Sequence, residues 1–93
     1  MIVAFDVDGT LRSWEGDFPI YDNIAIYFWF KRHGHRMIIW SGGGENYART
    51  WATKYGLEPD VVASKNMVNA KELNPDICFD DEIVALATVN IKV

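Results

Sequence analysis

The chain has 93 residues, of which 49% are hydrophobic and 24% are charged, which is ordinary globular composition and excludes a disordered or fibrous protein. This length is enough for one modest hydrophobic core and excludes a second independent domain. Thirteen acidic and nine basic residues give a net charge of -4, which excludes a general electrostatic attraction for nucleic acid or an anionic membrane surface.

The cysteine content and the N-terminal residues bear on the compartment. Cys78 is the only cysteine and lies in an apolar run, so we expect a buried thiol and no internal disulfide, as is usual in a reducing compartment. Residues 1–5 are too few for the apolar region of a signal peptide, and no apolar stretch is long enough to span a bilayer. These features predict a cytoplasmic protein without a membrane partner.

Five short segments predict β-strands. Segments 2–5, 37–40, 61–63 and 77–79 are apolar runs, which are typical of strands buried on both faces of a parallel sheet. Segment 89–93 alternates apolar and polar residues, which predicts an edge strand.

Three helices are predicted between these strands. Segment 21–33 ends at Gly34 and is long enough for a helix, although its apolar part, 24–30, is also compatible with a strand. The second helix is indicated by apolar residues spaced i, i+3, i+4 and i+7, namely Ala48, Trp51, Ala52 and Tyr55. A short third helix over 66–73 ends before Pro75, and segment 11–19 is an irregular connection.

The order of these elements predicts the fold class. Strands alternate with helices along most of the chain, which is typical of an α/β protein with a mostly parallel central sheet of about five strands. We expect a Rossmann-like three-layer sandwich that forms a single domain over residues 1–93. In such sheets, ligands bind beyond the carboxyl ends of the strands, where the strand order reverses.

Acidic residues follow two of the predicted strands. Asp6 and Asp8 come at the end of the first strand and are followed by the permissive Gly9, and Asp80 and Asp81 end the fourth. Carboxylates that converge in this way repel one another and need a cation. Oxygen ligands without a Cys or His cluster favour Mg²⁺ over Zn²⁺, and Mg²⁺ commonly joins carboxylates to a substrate phosphate.

Two further polar positions complete the set of groups that phosphoryl transfer requires. Ser41 ends the second strand, and the glycines at 42–44 are expected to leave backbone N–H groups facing an anion at the start of the next helix. Lys65 follows the third strand, where it can neutralise negative charge. A nucleophile, a metal, oriented donors and a proton shuttle would then be present together.

These residues resemble the four motifs of the haloacid dehalogenase-like superfamily. The segment 6–10, Asp-Val-Asp-Gly-Thr, is similar to its DxDGT signature. Ser41, Lys65 and the acidic pair Asp80-Asp81 resemble the second, third and fourth motifs in the same order, so that the resemblance spans nearly the whole chain. The first motif is specific to the superfamily. Ser41 and Lys65 support the resemblance only because of their order and spacing relative to that motif.

The resemblance implies a role for each matching position. Asp6 would be the nucleophile that forms an aspartyl-phosphate, and Asp8 would act as acid and then as base. Mg²⁺ would be held by Asp6, the backbone carbonyl of Asp8 and the acidic pair, with Asp80 as a direct ligand and Asp81 as a direct or water-mediated one. Ser41 and Gly42 would bind the phosphoryl oxygens, and Lys65 would be a catalytic residue that holds both the phosphate and the nucleophile. Thr10 would contribute to substrate binding through its backbone and a supporting hydrogen bond.

The resemblance therefore implies a Mg²⁺-dependent phosphatase acting on a phosphate monoester. The chain is too short for a cap domain, which predicts an open site and leaves the substrate undecided between a small molecule and a phosphorylated polymer. Two alternatives remain: a non-catalytic Mg²⁺-binding or phospho-acceptor module, and a degenerate interaction module of the same superfamily.

Simpler interpretations of single residues also remain open. Asp80 and Asp81 are compatible with a cap on the segment from Glu82, and Lys65 with a surface lysine, in which case Lys71 is its substitute. The aromatic residues of segment 27–30 are compatible with core packing or with a self-association surface that forms a homo-oligomer.

Overall fold

The computed structural model describes all 93 residues and contains one five-stranded parallel sheet. The strand order in the sheet is β3-β2-β1-β4-β5, and every neighbouring pair is parallel. The strands are β1 (Ile2–Asp6), β2 (Arg36–Ser41), β3 (Val61–Ser64), β4 (Ile77–Asp80) and β5 (Val89–Lys92). The prediction of an α/β fold with about five strands is confirmed, and the sheet is wholly rather than mostly parallel.

Three helices cover the two faces of this sheet. They are α1 (Tyr21–Arg32), α2 (Glu45–Lys54) and α3 (Met67–Leu73). Because successive strand residues point to opposite faces, the sheet contributes to two cores. One core combines the sheet with α1 and α2, and the other combines it with α3 and with part of the β4–β5 connection. The three-layer arrangement predicted from the sequence is therefore present.

The apolar segment 24–30 forms a helix, as its length predicted. Tyr27 is fully buried against Phe5, with its hydroxyl donating to the Leu57 carbonyl oxygen at 3.0 Å, so its role is core packing. Trp29, in contrast, is about half exposed. Self-association through this part of α1 stays a prediction.

The final strand is an edge strand, as its alternating pattern predicted. All four residues of β5 are exposed, because no helix covers this end of the sheet. Asn90 stabilises the approach to β5, since its side-chain oxygen accepts from the backbone N–H groups of Leu86 and Ala87 at 3.0 Å.

The strand order fixes where a site can form. The chain passes from β1 to β2 and β3 on one side and returns to β4 and β5 on the other, so the order reverses between β1 and β4. The carboxyl ends of these two central strands therefore border the crevice in which open α/β sheets bind ligands. The longest helix, α1, has 12 residues, and no helix has the length and apolar character needed to cross a bilayer.

Candidate active site at the carboxyl ends of the strands

Residues from four strands meet at one cavity of about 210 Å³. Asp6 ends β1, Ser41 ends β2, Lys65 follows β3, and Asp80 ends β4. Most of the residues predicted from the sequence line the cavity, and so do Trp14 and Glu82, which were not predicted. The predicted residues Thr10 and Asp80 are fully buried and do not line it. The lining residues are Asp6, Asp8, Trp14, Ser41, Gly42, Gly43, Lys65, Asp81 and Glu82. Parallel strands end at the same edge of a sheet, which is why positions distant in sequence lie together here.

Lys65 joins the first and fourth predicted motifs. Its Nζ atom donates to Asp6 Oδ1 at 3.0 Å and to Asp80 Oδ2 at 2.9 Å. Its side chain is 18% exposed, so it is not a freely solvated surface lysine. Burial disfavours the charged amine, but the hydrogen bonds that Lys65 donates to Asp80 and Asp6 prevail and raise the pKa of Lys65. Lys65 is therefore a fixed positive charge between two buried carboxyl groups.

Asp6 is held in place from two sides. Oδ1 accepts from Lys65, and Oδ2 accepts a longer hydrogen bond of 3.4 Å from the hydroxyl of the fully buried Thr10. Burial raises the pKa of Asp6 to about 7, the Lys65 hydrogen bond opposes this shift, and the nearby Asp80 carboxylate adds to it. The pKa of Asp6 thus lies far above that of an ordinary aspartate, as is common at functional sites.

Three carboxyl groups come close enough to share a cation. Asp6, Asp80 and Asp81 each offer one oxygen, and these oxygens lie within 4.8 Å of one another. Two of the three residues are buried, and Lys65 alone cannot balance three negative charges. Because the donors are all hard carboxylate oxygens, the set fits Mg²⁺.

Asp80 also caps the segment from Glu82, as the simpler interpretation predicted, in addition to its place in the carboxyl cluster. Its Oδ1 atom accepts from the backbone N–H of Glu82 at 3.0 Å, while Oδ2 accepts from Lys65. The side chain is fully buried, which a cap on an exposed loop does not require. Asp80 thus both orders the turn after β4 and contributes to the carboxyl cluster.

Asp8 faces the same cavity but stands apart from the three carboxyl groups. Its Oδ1 atom accepts from the Tyr47 hydroxyl at 2.7 Å and from the Arg12 guanidinium at 3.2 Å. Burial and the hydrogen bond to Asp8 raise the pKa of Tyr47, so the tyrosine remains a donor. The side chain of Asp8 therefore lies outside the carboxyl cluster, which leaves its backbone carbonyl for the predicted ligand role.

The turn after β2 differs in part from what its glycines predicted. Ser41 is buried and, with Gly42, lines the cavity. The N–H groups of Gly43 and Gly44 donate to the side chain and the carbonyl of Ser41, and that of Glu45 donates to Ser64 Oγ. The expectation that the glycines after Ser41 leave N–H groups free to face an anion is wrong for Gly43 and Gly44, because the turn satisfies both groups internally.

Trp14 is a cavity residue that the sequence did not single out. It lies in the irregular connection predicted over 11–19, and its indole Nε1 donates to Asp81 Oδ2 at 2.9 Å. The contact joins residues 67 positions apart, so no local pattern reveals it. Tyr47, which is 39 positions from Asp8, was missed for the same reason. Arg12 is only four positions from Asp8, but it lies in an irregular connection whose conformation the sequence does not predict.

Gly9 makes room for this contact. Its φ angle is +79°, and a Cβ atom there would overlap the carboxylate of Asp81 and the indole nitrogen of Trp14. We expect Gly9→Ala to lower the free energy of unfolding by more than the roughly 1 kcal/mol that a positive φ costs alone. It should also weaken stabilisation by Mg²⁺, because Asp81 is displaced.

Gly34→Ala is the matched control, since Gly34 has a φ of +81° and open space around its Cβ position. Urea unfolding of both variants, with EDTA and with Mg²⁺, separates backbone strain from displacement of Asp81. Equal losses in the two variants, with an unchanged Mg²⁺ effect, would contradict the proposed crowding at Gly9.

Several other ionisable residues lie away from the cluster. Lys71 is exposed on α3 and lines a separate groove, so it does not substitute for Lys65. Arg49 pairs with Glu45 on the surface of α2 at 3.2 Å. His33 contacts the carbonyl oxygen of Trp29, and His35 contacts the N-terminal amine.

No protein-family model, curated protein or solved structure matches this chain. The function is therefore argued from the geometry and chemistry of the cavity itself.

Proposed function

We propose that the chain is a capless haloacid dehalogenase-like phosphatase that hydrolyses a phosphate monoester with Mg²⁺. The observation that carries the proposal is the position of Lys65 between Asp6 and Asp80, beside the third carboxyl group of Asp81. A cluster of acidic residues on a protein surface does not require a partly buried lysine. A site that binds a phosphoryl group does require a positive charge close to the phosphoryl oxygens.

The reaction would proceed through two displacements at phosphorus. In the first, a carboxylate oxygen of Asp6 forms a bond to phosphorus as the bond to the leaving oxygen breaks, and Asp8 gives that oxygen a proton. In the second, a water molecule attacks the phosphorus of the aspartyl-phosphate while Asp8 takes a proton from that water. The bond from Asp6 to phosphorus breaks, inorganic phosphate leaves, and both aspartates return to their starting states.

The residues around Asp6 and Asp8 would prepare them for these steps. Lys65 lowers the negative charge that the incoming phosphate meets, and Thr10 holds the nucleophile from its other side. Tyr47 and Arg12 both bind Oδ1 of Asp8, which orients its other oxygen for proton transfer. A Mg²⁺ ion held by Asp6, Asp80, Asp81 and the carbonyl of Asp8 would supply electrostatic stabilisation of the phosphoryl oxygens.

The direct test is hydrolysis of p-nitrophenyl phosphate. We expect Mg²⁺-dependent release of p-nitrophenol that EDTA abolishes and excess Mg²⁺ restores. Binding of Mg²⁺ without release of p-nitrophenol or of phosphate from any ester would instead favour the non-catalytic metal-binding module. Absence of both binding and turnover would favour the degenerate interaction module.

A further inference from the structure

The cavity is too small to hold a whole organic phosphate. Its volume of about 210 Å³ lies below the roughly 300–1,000 Å³ of typical small-molecule sites. It has room for a phosphoryl group and its immediate ligands. The leaving group of a substrate must therefore lie at the mouth of the cavity, where contacts outside the carboxyl cluster decide which leaving group is preferred.

The mouth offers one apolar surface. Trp14 is the only hydrophobic residue that lines the cavity, and it is 65% exposed. It packs against no other aromatic ring of the protein, whereas Trp29 stacks on His33 and Trp51 makes edge and tilted contacts with Tyr47 and Tyr55. An exposed indole beside a site for a charged group is suited to stacking on a flat ring.

The indole is also held in a fixed position. Its Nε1 atom is bound to Asp81, and the connection that carries it is tied to itself by the hydrogen bonds from Ser13 N to Phe18 O and from Ile20 N to Leu11 O, both 2.8 Å. A ring that is fixed before binding loses little conformational freedom when a ligand stacks on it.

The charges around the cavity disfavour a second phosphate. The ionisable lining consists of Asp6, Asp8, Asp81, Glu82 and a single cation, Lys65. The nearest additional cation, Arg12, is paired with Asp8 and Asp17 and lies over the ring of Trp51. A diphosphate or a nucleic acid strand would place further negative charge against this acidic rim.

Given the phosphatase activity proposed above, we infer that Trp14 selects substrates by stacking on the leaving group. The preferred substrates are monoesters with a single phosphate, in which the leaving group is uncharged and carries an aromatic ring. Nucleoside monophosphates and aryl phosphates share this chemistry. Phosphates of simple sugars lack the ring, and phosphorylated polymers carry charge that the rim repels.

The test compares adenosine 5′-monophosphate with ribose 5-phosphate, which differ only in the base. We expect kcat/KM to be about 5- to 150-fold higher for the nucleotide, the range that corresponds to one stacked base. Adenosine 5′-diphosphate should be a poorer substrate than the monophosphate. Phenyl phosphate tests whether the ring alone is sufficient or whether a nucleoside is required.

Two variants separate stacking from the hydrogen bond to Asp81. Trp14→Phe keeps a ring and loses the N–H donor, so it should keep the preference for the nucleotide and need more Mg²⁺. Trp14→Gln keeps an N–H donor and loses the ring, so it should lose the preference and keep the Mg²⁺ requirement. Phe18→Gln, which removes an exposed ring from the same connection but not from the cavity, is the matched control.

The outcomes distinguish this inference from the proposed activity. Hydrolysis of both compounds with equal kcat/KM, unchanged in Trp14→Gln, would overturn the inference and leave the phosphatase intact. If neither compound is hydrolysed, calorimetric binding of both to the wild-type chain with Mg²⁺ decides the inference, and hydrolysis of p-nitrophenyl phosphate decides the proposed activity separately. Tighter binding of the nucleotide that is lost in Trp14→Gln supports it, and equal binding refutes it.

Discussion

Replacing Asp6 with asparagine is expected to lower Mg²⁺-dependent hydrolysis of p-nitrophenyl phosphate by roughly 10³-fold or more, because an amide is a far poorer nucleophile than a carboxylate. The fold should survive, since asparagine has nearly the same shape and can still accept a hydrogen bond from Lys65. Steady-state kinetics of the purified variant measures the effect. Glu72→Gln, which neutralises an exposed acid on α3, is the control for loss of charge. Retention of normal hydrolysis by Asp6→Asn would contradict the mechanism.

The same variant should have a second effect that catalysis does not require. The raised pKa of Asp6, about 7, means that the folded chain holds a proton more tightly than the unfolded chain does. Without metal, the wild-type protein should therefore lose stability as the pH rises from about 4 to about 7. Asparagine carries no such proton, so in EDTA at pH 8 Asp6→Asn should unfold at a higher urea concentration than wild type. At pH 4 this advantage should vanish.

Replacing Lys65 with methionine is expected to lower the free energy of unfolding in EDTA by about 3 kcal/mol or more, because it leaves two buried carboxyl groups without their positive partner. Lys65 binds both Asp6 and Asp80, so methionine removes two charged hydrogen bonds while keeping most of the side-chain volume. Urea unfolding followed by circular dichroism measures the loss. Lys71→Met, on the exposed surface of α3, should change stability by no more than about 0.5 kcal/mol.

Metal should partly replace the missing lysine. In the Lys65→Met variant, Mg²⁺ becomes the only cation in the carboxyl cluster, so saturating Mg²⁺ should raise stability more than it does in wild type. The double variant Lys65→Met with Asp80→Asn should recover part of the loss in EDTA, since one of the unpaired charges is gone. Equal stability of Lys65→Met and wild type in EDTA would show that the lysine does not neutralise the cluster.

Much of the fold could be predicted because the strands carry a strong local signal. The apolar runs that became β1, β2 and β4 are largely buried on both faces, whereas the run in β3 lies at an edge of the sheet, where only Ala63 is buried. Each of the four runs is followed by a polar residue at the carboxyl end of its strand. Once the strands are parallel, their carboxyl ends must lie together, so the meeting of Asp6, Ser41, Lys65 and Asp80 follows from their order along the chain.

The contacts that could not be predicted are set by side-chain direction rather than by strand position. Trp14 reaches Asp81 from an irregular connection, and Tyr47 reaches Asp8 from the first turns of α2. The glycine turn after Ser41 was expected to present free N–H groups, yet it closes on its own serine and on Ser64. Each of these hydrogen bonds depends on which of several nearby acceptors lies closest to the donor in the folded chain. That distance cannot be read from the sequence.

The strand pairing also constrains how the proposed activity can be lost. Val3 in β1 pairs with Ile77 in β4, although 74 positions separate the two residues, and the residues that end or follow both strands line the cavity. Contacts between such distant segments form only when most of the sheet has assembled. No partly folded species should retain turnover, and residual activity through a urea titration should follow the same sigmoid curve as the ellipticity of the sheet.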